Sequence, residues 1–122
     1  MSLQIDNPLI IPIPLNKKRL LERGFNQAEL IAKIFAEYFN YPLITNVIIR
    51  QKNTPHQVGF TRLQRQNNIK NCFQVIKPKT VYGQKVILID DVVTTGSTLD
   101  EAAKTLKQAG AIEVWGLTVA KD

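Results

Sequence analysis

Between residues 86 and 98 the chain reads VILIDDVVTTGST, a stretch that concentrates the groups with which proteins handle phosphate and sugar. Two adjacent carboxylates, Asp90 and Asp91, precede Thr94, Thr95, Gly96, Ser97 and Thr98, which place hydroxyl donors around a residue without a Cβ. Glycine at such a point lets the backbone turn tightly and approach an anion, and the N–H groups that open a following helix have no partner within it. An anion seated there gains those hydrogen bonds and ~0.3–1 kcal/mol from the helix dipole. The carboxylates would repel the same phosphate; they suit sugar hydroxyls or a ligand-borne metal ion. The plainer reading is an N-capped helix after a core strand, with both acids merely solvated. A cap needs one hydroxyl or carboxylate, however, and this loop supplies far more.

The elements that must position these groups are legible in outline. Val86, Ile87, Leu88 and Ile89 are apolar at every position, as in a parallel strand buried on both faces, so a strand is expected to end at the acid pair. Ser97 with Asp100 marks a helix start, Leu99, Ala102, Ala103 and Leu106 its inward face, and Gly110 its stop. Glu113 to Ala120 reads as a last strand, with Trp115 expected in the core. Nearer the start, PLIIPIP suggests a first strand ending near Ile13, where Pro12 lacks a donor. A loop from Leu15 to Phe25 follows. Asn26 with Glu29 then opens a helix in which Leu30, Ile31, Ile34, Phe35 and Tyr38 recur at helical spacing to about Phe39. Leu43-Ile44 with Val47-Ile48-Ile49 suggests a second strand closing on Arg50 and Lys52, Phe73 to Ile76 a short further strand, and Lys77 to Gly83 a turn. Strand, helix and strand in alternation, with right-handed crossovers, predict a three-layer α/β/α domain around a mostly parallel sheet.

Composition agrees with a single small domain over residues 1–122, its ordered core about 8–120. The chain is 44% hydrophobic, and no apolar run approaches the ~18 residues of a membrane span. The first residues lack the basic and apolar regions of a signal peptide, and the single cysteine, Cys72, reads as a small buried hydrophobe, so the expected compartment is the cytoplasm. The net charge of +6 is unevenly spread: from Tyr38 to Ile89 there is no acid, only Arg50, Lys52, Arg62, Arg65, Lys70, Lys77, Lys79 and Lys85. Such a segment can bind a diphosphate, bind nucleic acid or be a solvated face. Residues 53–71 are polar and without apolar period, which in so small a domain suggests a functional lid over about 51–71 or disorder. His56, the only histidine, is ordinarily a surface residue in such a loop and would need a second acceptor nearby to act as a base.

VILIDDVVTTGST resembles the phosphoribosyl-diphosphate signature of the type I phosphoribosyltransferases at every position. PIPLNKKRLLERGFNQAEL, and further on Arg50, Thr54-Pro55, Gln57, Gly59, Arg62, Arg65, Asn68 and Phe73, resemble the competence protein F (ComF) group of that family. The likeness runs from about Ile11 to Ala120. It implies a type I phosphoribosyltransferase fold and roles residue by residue. Asp90 and Asp91 would hold the ribose hydroxyls, and Thr94 through Thr98 the 5′-phosphate. Arg23, Gly24 and Asn26, with Arg19 beside them, and Arg50 and Lys52 would meet the diphosphate. Arg62 and Arg65 would lie on a mobile hood. Members of the group often begin with a cysteine-rich zinc-binding segment that has no counterpart here, so a short member or a fragment is expected.

The implied activity is transfer of the phosphoribosyl group of 5-phosphoribosyl 1-diphosphate to an unidentified acceptor with release of diphosphate, a place in nucleoside metabolism. Mg²⁺ would be carried on the substrate diphosphate, and no metal is bound by the protein alone. The expected partners are that sugar diphosphate, a second copy in a homodimer, and nucleic acid or the DNA-uptake machinery; no membrane is expected. Two readings from other classes stand beside it. One is a sensor that binds the ligand without turnover. The other is a single-strand binder built on the basic segment, for which the interleaved aromatics, Phe60 and Phe73, are few.

Overall fold

The computed structural model describes residues 5–51, 69–93 and 96–121. Its centre is a parallel sheet in the order β1-β4-β5, formed by β1 (Leu9–Pro12), β4 (Lys85–Val93) and β5 (Glu113–Lys121). Leu9 pairs with Val86 and Pro12 with Ile89, while Ile87 stands beside Trp115 on the other side. Pro12 closes β1, the position where a missing donor costs least. β4 is buried because it lies between two neighbours and two layers, and Val86, Leu88 and Ile89 are fully inaccessible.

On one face lies α2 (Gln27–Phe39), which rests on β1 and β4 through Ala28, Ala32 and Ala36. Alanines fit there because the sheet supplies the bulk with Ile10, Ile87 and Ile89. The helix was legible, but its buried side is not the large-residue stripe: Leu30, Ile34 and Tyr38 face outward. On the opposite face α4 (Ser97–Gln108) buries Ala102 and Leu106 against Val86 and Leu88. Beside it stands an antiparallel pair, β2 (Ile48–Arg50) with β3 (Phe73–Val75), and before β4 comes the single turn α3 (Pro78–Val81).

Four expectations are corrected. The expected loop from Leu15 to Phe25 contains a helix, α1 (Lys17–Arg23), begun by Asn16, whose Oδ1 accepts from the Arg19 amide at 2.8 Å, and ended by Gly24 at φ +80°. None of its residues is buried, so there was no apolar period to read. The second strand is split at Asn46, φ +62°: Leu43 bridges Ile10 in parallel, whereas Ile48–Arg50 leaves the main sheet to pair with β3. β4 does not end at the acids but continues to Val93, held by the β5 ladder from Asp90↔Thr118 to Val93↔Lys121. Trp115 is 37% exposed and not core, because β5 is an edge strand and α2 lies over β1 and β4. Cys72 is fully buried, as expected. No described helix is long and apolar enough to cross a membrane.

Candidate functional site

Side chains alternate along β4, so Asp90 shares the face of Val86 and Leu88, the side on which β2 and β3 pack. Its carboxyl is largely withdrawn from water and accepts the Asp91 amide at 2.9 Å. Burial, together with the neighbouring Asp91 carboxyl, pushes Asp90 up to about 7, while Arg50 acts in the opposite sense. The Asp91 carbonyl in turn accepts from the Thr118 hydroxyl at 3.2 Å, fixing the acid pair to β5.

Arg50 is the last residue of β2. Its guanidinium carbon sits 5.4 Å from the Phe73 ring centroid, the side chain hydrogen-bonds the Cys72 thiol, and Nε is buried without a hydrogen-bond partner. Burial drives the Cys72 thiol up and Arg50 partly opposes this, so the thiol is a neutral packing group and not a nucleophile. A half-buried arginine whose Nε is withdrawn from water with its donor unused is what an incoming anion would complete. The sequence singles out Arg50 as a candidate at a strand end, where the structure has it, but not its seat. The clue was Cys72-Phe73, two small-domain core types facing the basic strand end.

Past Val93 the chain re-enters the described residues at Gly96, φ +80°, which begins α4 with no side-chain cap. A Cβ built on Gly96 would meet nothing closer than Asp100 Oδ2 at 4.0 Å, so the left-handed backbone, not crowding, calls for glycine. Ser97 and Thr98 are half-buried in the first turn of α4.

A cleft of about 360 Å³ opens where β1 leaves the sheet, walled by Pro12, Leu15 and Leu20 on one side and residues 44–50 on the other, with Lys17, Asn26, Glu29 and Arg50 as its longer polar side chains. Arg50 lines this cleft and also acts on Asp90, so it joins the two parts of the site. Asn26 is doubly engaged: Oδ1 accepts from the Ala28 amide and Nδ2 donates to the Ile13 carbonyl, both at 3.0 Å. Arg23 and Gly24 lie outside the cleft at the exposed end of α1, where Arg23 covers the Phe25 ring at 5.7 Å. Lys52, His56, Arg62, Arg65, Thr94 and Thr95 lie outside the described residues, as does most of the expected lid. Among the described residues no group of three or more His, Cys, Asp or Glu side chains that could hold a metal ion occurs.

A family model of the phosphoribosyl transferase domain matches residues 20–121. The chain is 40% identical over 111 residues to competence protein F of Haemophilus influenzae, covering 88% of this chain and 48% of that protein. It is 34% identical over 110 residues to the DNA utilization protein YhgH of Escherichia coli, with the same coverage, and 37% identical over 102 residues to competence protein ComFC of Bacillus subtilis, covering 84% of this chain and 39% of that one. It therefore spans about half or less of the length of the curated relatives it matches. Among solved structures it resembles two variants from an analysis of an invariant aspartic acid in HPRTs, a glutamic acid mutant with TM-score 0.52 and 15% identity and an asparagine mutant with 0.53 and 13%. Each alignment covers 98% of this chain, against 56% and 55% of the other, and the likeness is one of fold.

Proposed function

The chain belongs to the phosphoribosyl transferase domain family, and on that premise we propose that it binds 5-phosphoribosyl 1-diphosphate as its Mg²⁺ complex and transfers the phosphoribosyl group to an acceptor in the cytoplasm. The observation that carries this is the juxtaposition of Asp90 on β4 with the partly unsatisfied guanidinium of Arg50, beside an α4 terminus that lacks a side-chain cap. In this reading the amides and hydroxyls from Gly96 to Thr98, with Thr94 and Thr95, hold the 5′-phosphate. Asp90 and Asp91 accept from the ribose hydroxyls. Arg50 and Lys52 draw the diphosphate, with Arg23, Gly24 and Asn26 approaching from the β1 side and Arg62 and Arg65 covering the bound ligand.

The reaction needs no covalent protein intermediate. A bond forms from the acceptor to the anomeric carbon as the bond to diphosphate breaks and the electron pair departs with that group. Holding both ends of the sugar keeps the anomeric carbon in line, and Arg50 stabilises the growing negative charge of the leaving group. Magnesium bound to the diphosphate would share that charge. Asp90, titrating near neutrality, can hold or accept a proton at the same edge of the sheet.

A second reading is favoured by the relatives' names, which speak of competence and DNA utilization. The domain would then bind the sugar diphosphate as a ligand-sensing part of a DNA-uptake system without turning it over. Calorimetry with the Mg²⁺ complex of the sugar diphosphate, followed by assay of pyrophosphate release with a panel of bases and amines, separates the two. Binding with release supports the transferase, binding without release the sensor, and absence of binding overturns both.

A further inference from the structure

The cleft between α1 and residues 44–50 has room that a sugar diphosphate does not use. Its volume of about 360 Å³ is that of a small-molecule site, and Pro14, Leu15, Leu20, Ile44, Val47 and Ile48 give it largely apolar walls. A diphosphate among them would lose water without regaining partners. The occupant these walls suit has an apolar body.

Two charged side chains of the cleft are left over. The capping box expected of Asn26 and Glu29 is only half made. Asn26 Oδ1 accepts from the Ala28 amide at 3.0 Å, whereas the Glu29 carboxylate, exposed in the first turn of α2, has no hydrogen-bond or ion-pair partner among the described residues. Lys17, which opens α1, is exposed and equally unpartnered among them. Both line the cleft. Arg50 lines it as well and acts on Asp90, so the cleft meets the candidate sugar site at that residue.

We propose that this cleft takes the acceptor, and that the acceptor is an arylamine with a carboxylate across the ring from its nitrogen. The ring lies between the apolar walls, the amine donates to Glu29 and the carboxylate meets Lys17. Because Lys17 and Glu29 open different helices, they read the two ends from separate points of the rim. The inference rests on the transferase reading, in which the diphosphate engages Arg50 and leaves Lys17 for a second anion. An arylamine, unlike an alkylammonium, keeps its nitrogen lone pair at neutral pH. As that nitrogen bonds to the anomeric carbon, the diphosphate departs with the electron pair of the broken bond and the N–H proton passes to the Glu29 carboxylate.

Titration of the 122-residue chain with 4-aminobenzoate, aniline and benzoate, followed by the NMR shifts of the Val47 and Ile48 amides, tests the site without turnover. 4-Aminobenzoate is expected to bind about tenfold or more tighter than either single-ended probe, the scale of one charge-assisted contact. Lys17→Met should weaken 4-aminobenzoate and benzoate but not aniline. Glu29→Gln should weaken 4-aminobenzoate and aniline but not benzoate. Thermal melting is the folding control, and both side chains are exposed. Equal affinity for the three probes, or variants that weaken all three alike, overturns the proposal. Calorimetry with the Mg²⁺ complex of the sugar diphosphate keeps the two readings apart. A chain that binds it but shows no shift with 4-aminobenzoate overturns the acceptor site alone; one that takes up 4-aminobenzoate but no sugar diphosphate overturns the transferase reading and the acceptor role with it.

Discussion

Arg50 and Phe73 stand opposite each other in the β2–β3 ladder, and the guanidinium lies over the ring with 5.4 Å between its carbon and the centroid. This holds a cation against an aromatic face, where its charge favours the ionised form of Asp90 and its Nε is left without a hydrogen-bond partner. Replacement by Ala should weaken binding of the sugar diphosphate by ~2–3 kcal/mol, the scale of a hydrogen bond to a charged group. Lys, a point charge without the planar fork, should recover only part of it. Calorimetry on the two variants checks this, and an Arg50→Ala variant with native affinity would place the diphosphate elsewhere.

Asp90 makes stability depend on pH in a stated direction. Its pKa is raised from 3.8 to about 7, chiefly by burial and next by Asp91, so between those values the folded protein keeps a proton that the unfolded chain has released. Stability linked to this group is full below about 4 and is lost as pH rises through about 7. Asp90→Asn removes the dependence. After allowance for the part of the group that water still screens, the variant should be more stable than the parent by ~1–2 kcal/mol at pH 8 and nearly equal at pH 4. Urea denaturation at both values decides it, and parallel pH profiles would show that the carboxyl is not desolvated.

The double variant Asp90→Asn with Asp91→Asn tests the sugar contact. Two carboxylates that accept from adjacent hydroxyls become amides with half the acceptor capacity. Ligand affinity should fall by at least ~100-fold while the fold persists, since neither side chain belongs to the apolar clusters. Undiminished affinity in a folded double variant would refute the assignment.

What the sequence disclosed follows from where burial leaves a periodic trace. β4 was legible because each of its first apolar residues is enclosed by two layers; its continuation through Asp90 and Asp91 to Val93 was not, because pairing with β5 overrides the poor strand propensity of aspartate. α1 buries nothing and is held by its ends, Asn16 and Gly24, so only capping signals could have revealed it. In α2 the large apolar residues set the period, yet the alanines set the buried face, because close approach to Ile10, Ile87 and Ile89 leaves no room for bulk. The acid pair and the Gly96 turn were singled out as candidates by residue type alone, and the structure shows the left-handed turn at Gly96. The seat of Arg50 depends on a strand pairing across a gap of more than twenty residues, which no local pattern encodes.

Gly96 offers a test of backbone conformation apart from crowding. With φ at +80° and nothing nearer than 4.0 Å to an added Cβ, Gly96→Ala meets only the strain of a left-handed conformation. The expected cost is ~1–2 kcal/mol of stability. Affinity for inorganic phosphate should drop as well if α4 relaxes out of that conformation, which phosphate titration followed by NMR shifts of the Ser97 and Thr98 amides would register. A variant with native stability and native shifts would mean that the turn tolerates a side chain and that glycine is not required there.

Asn26 distinguishes a ligand contact from a structural clasp. Its Oδ1 caps α2 through the Ala28 amide while its Nδ2 reaches the Ile13 carbonyl just past β1, so one side chain ties the helix to the strand whose exit forms the cleft. Removing it leaves one helix donor and the carbonyl of buried Ile13, just past β1, to imperfect solvation, a loss of ~1–2 kcal/mol for the cap with a further contribution from the second bond. Asn26→Ala should therefore lower the melting temperature clearly. Asn26→Asp keeps the cap acceptor but loses the Nδ2 donor, and its carboxylate would oppose an arriving diphosphate. If the residue serves only as a clasp, the Asp variant at a temperature where it is fully folded binds the sugar diphosphate as the parent does. If it also meets the diphosphate, affinity falls tenfold or more with the melting temperature largely kept, and calorimetry paired with thermal melting reads the difference directly.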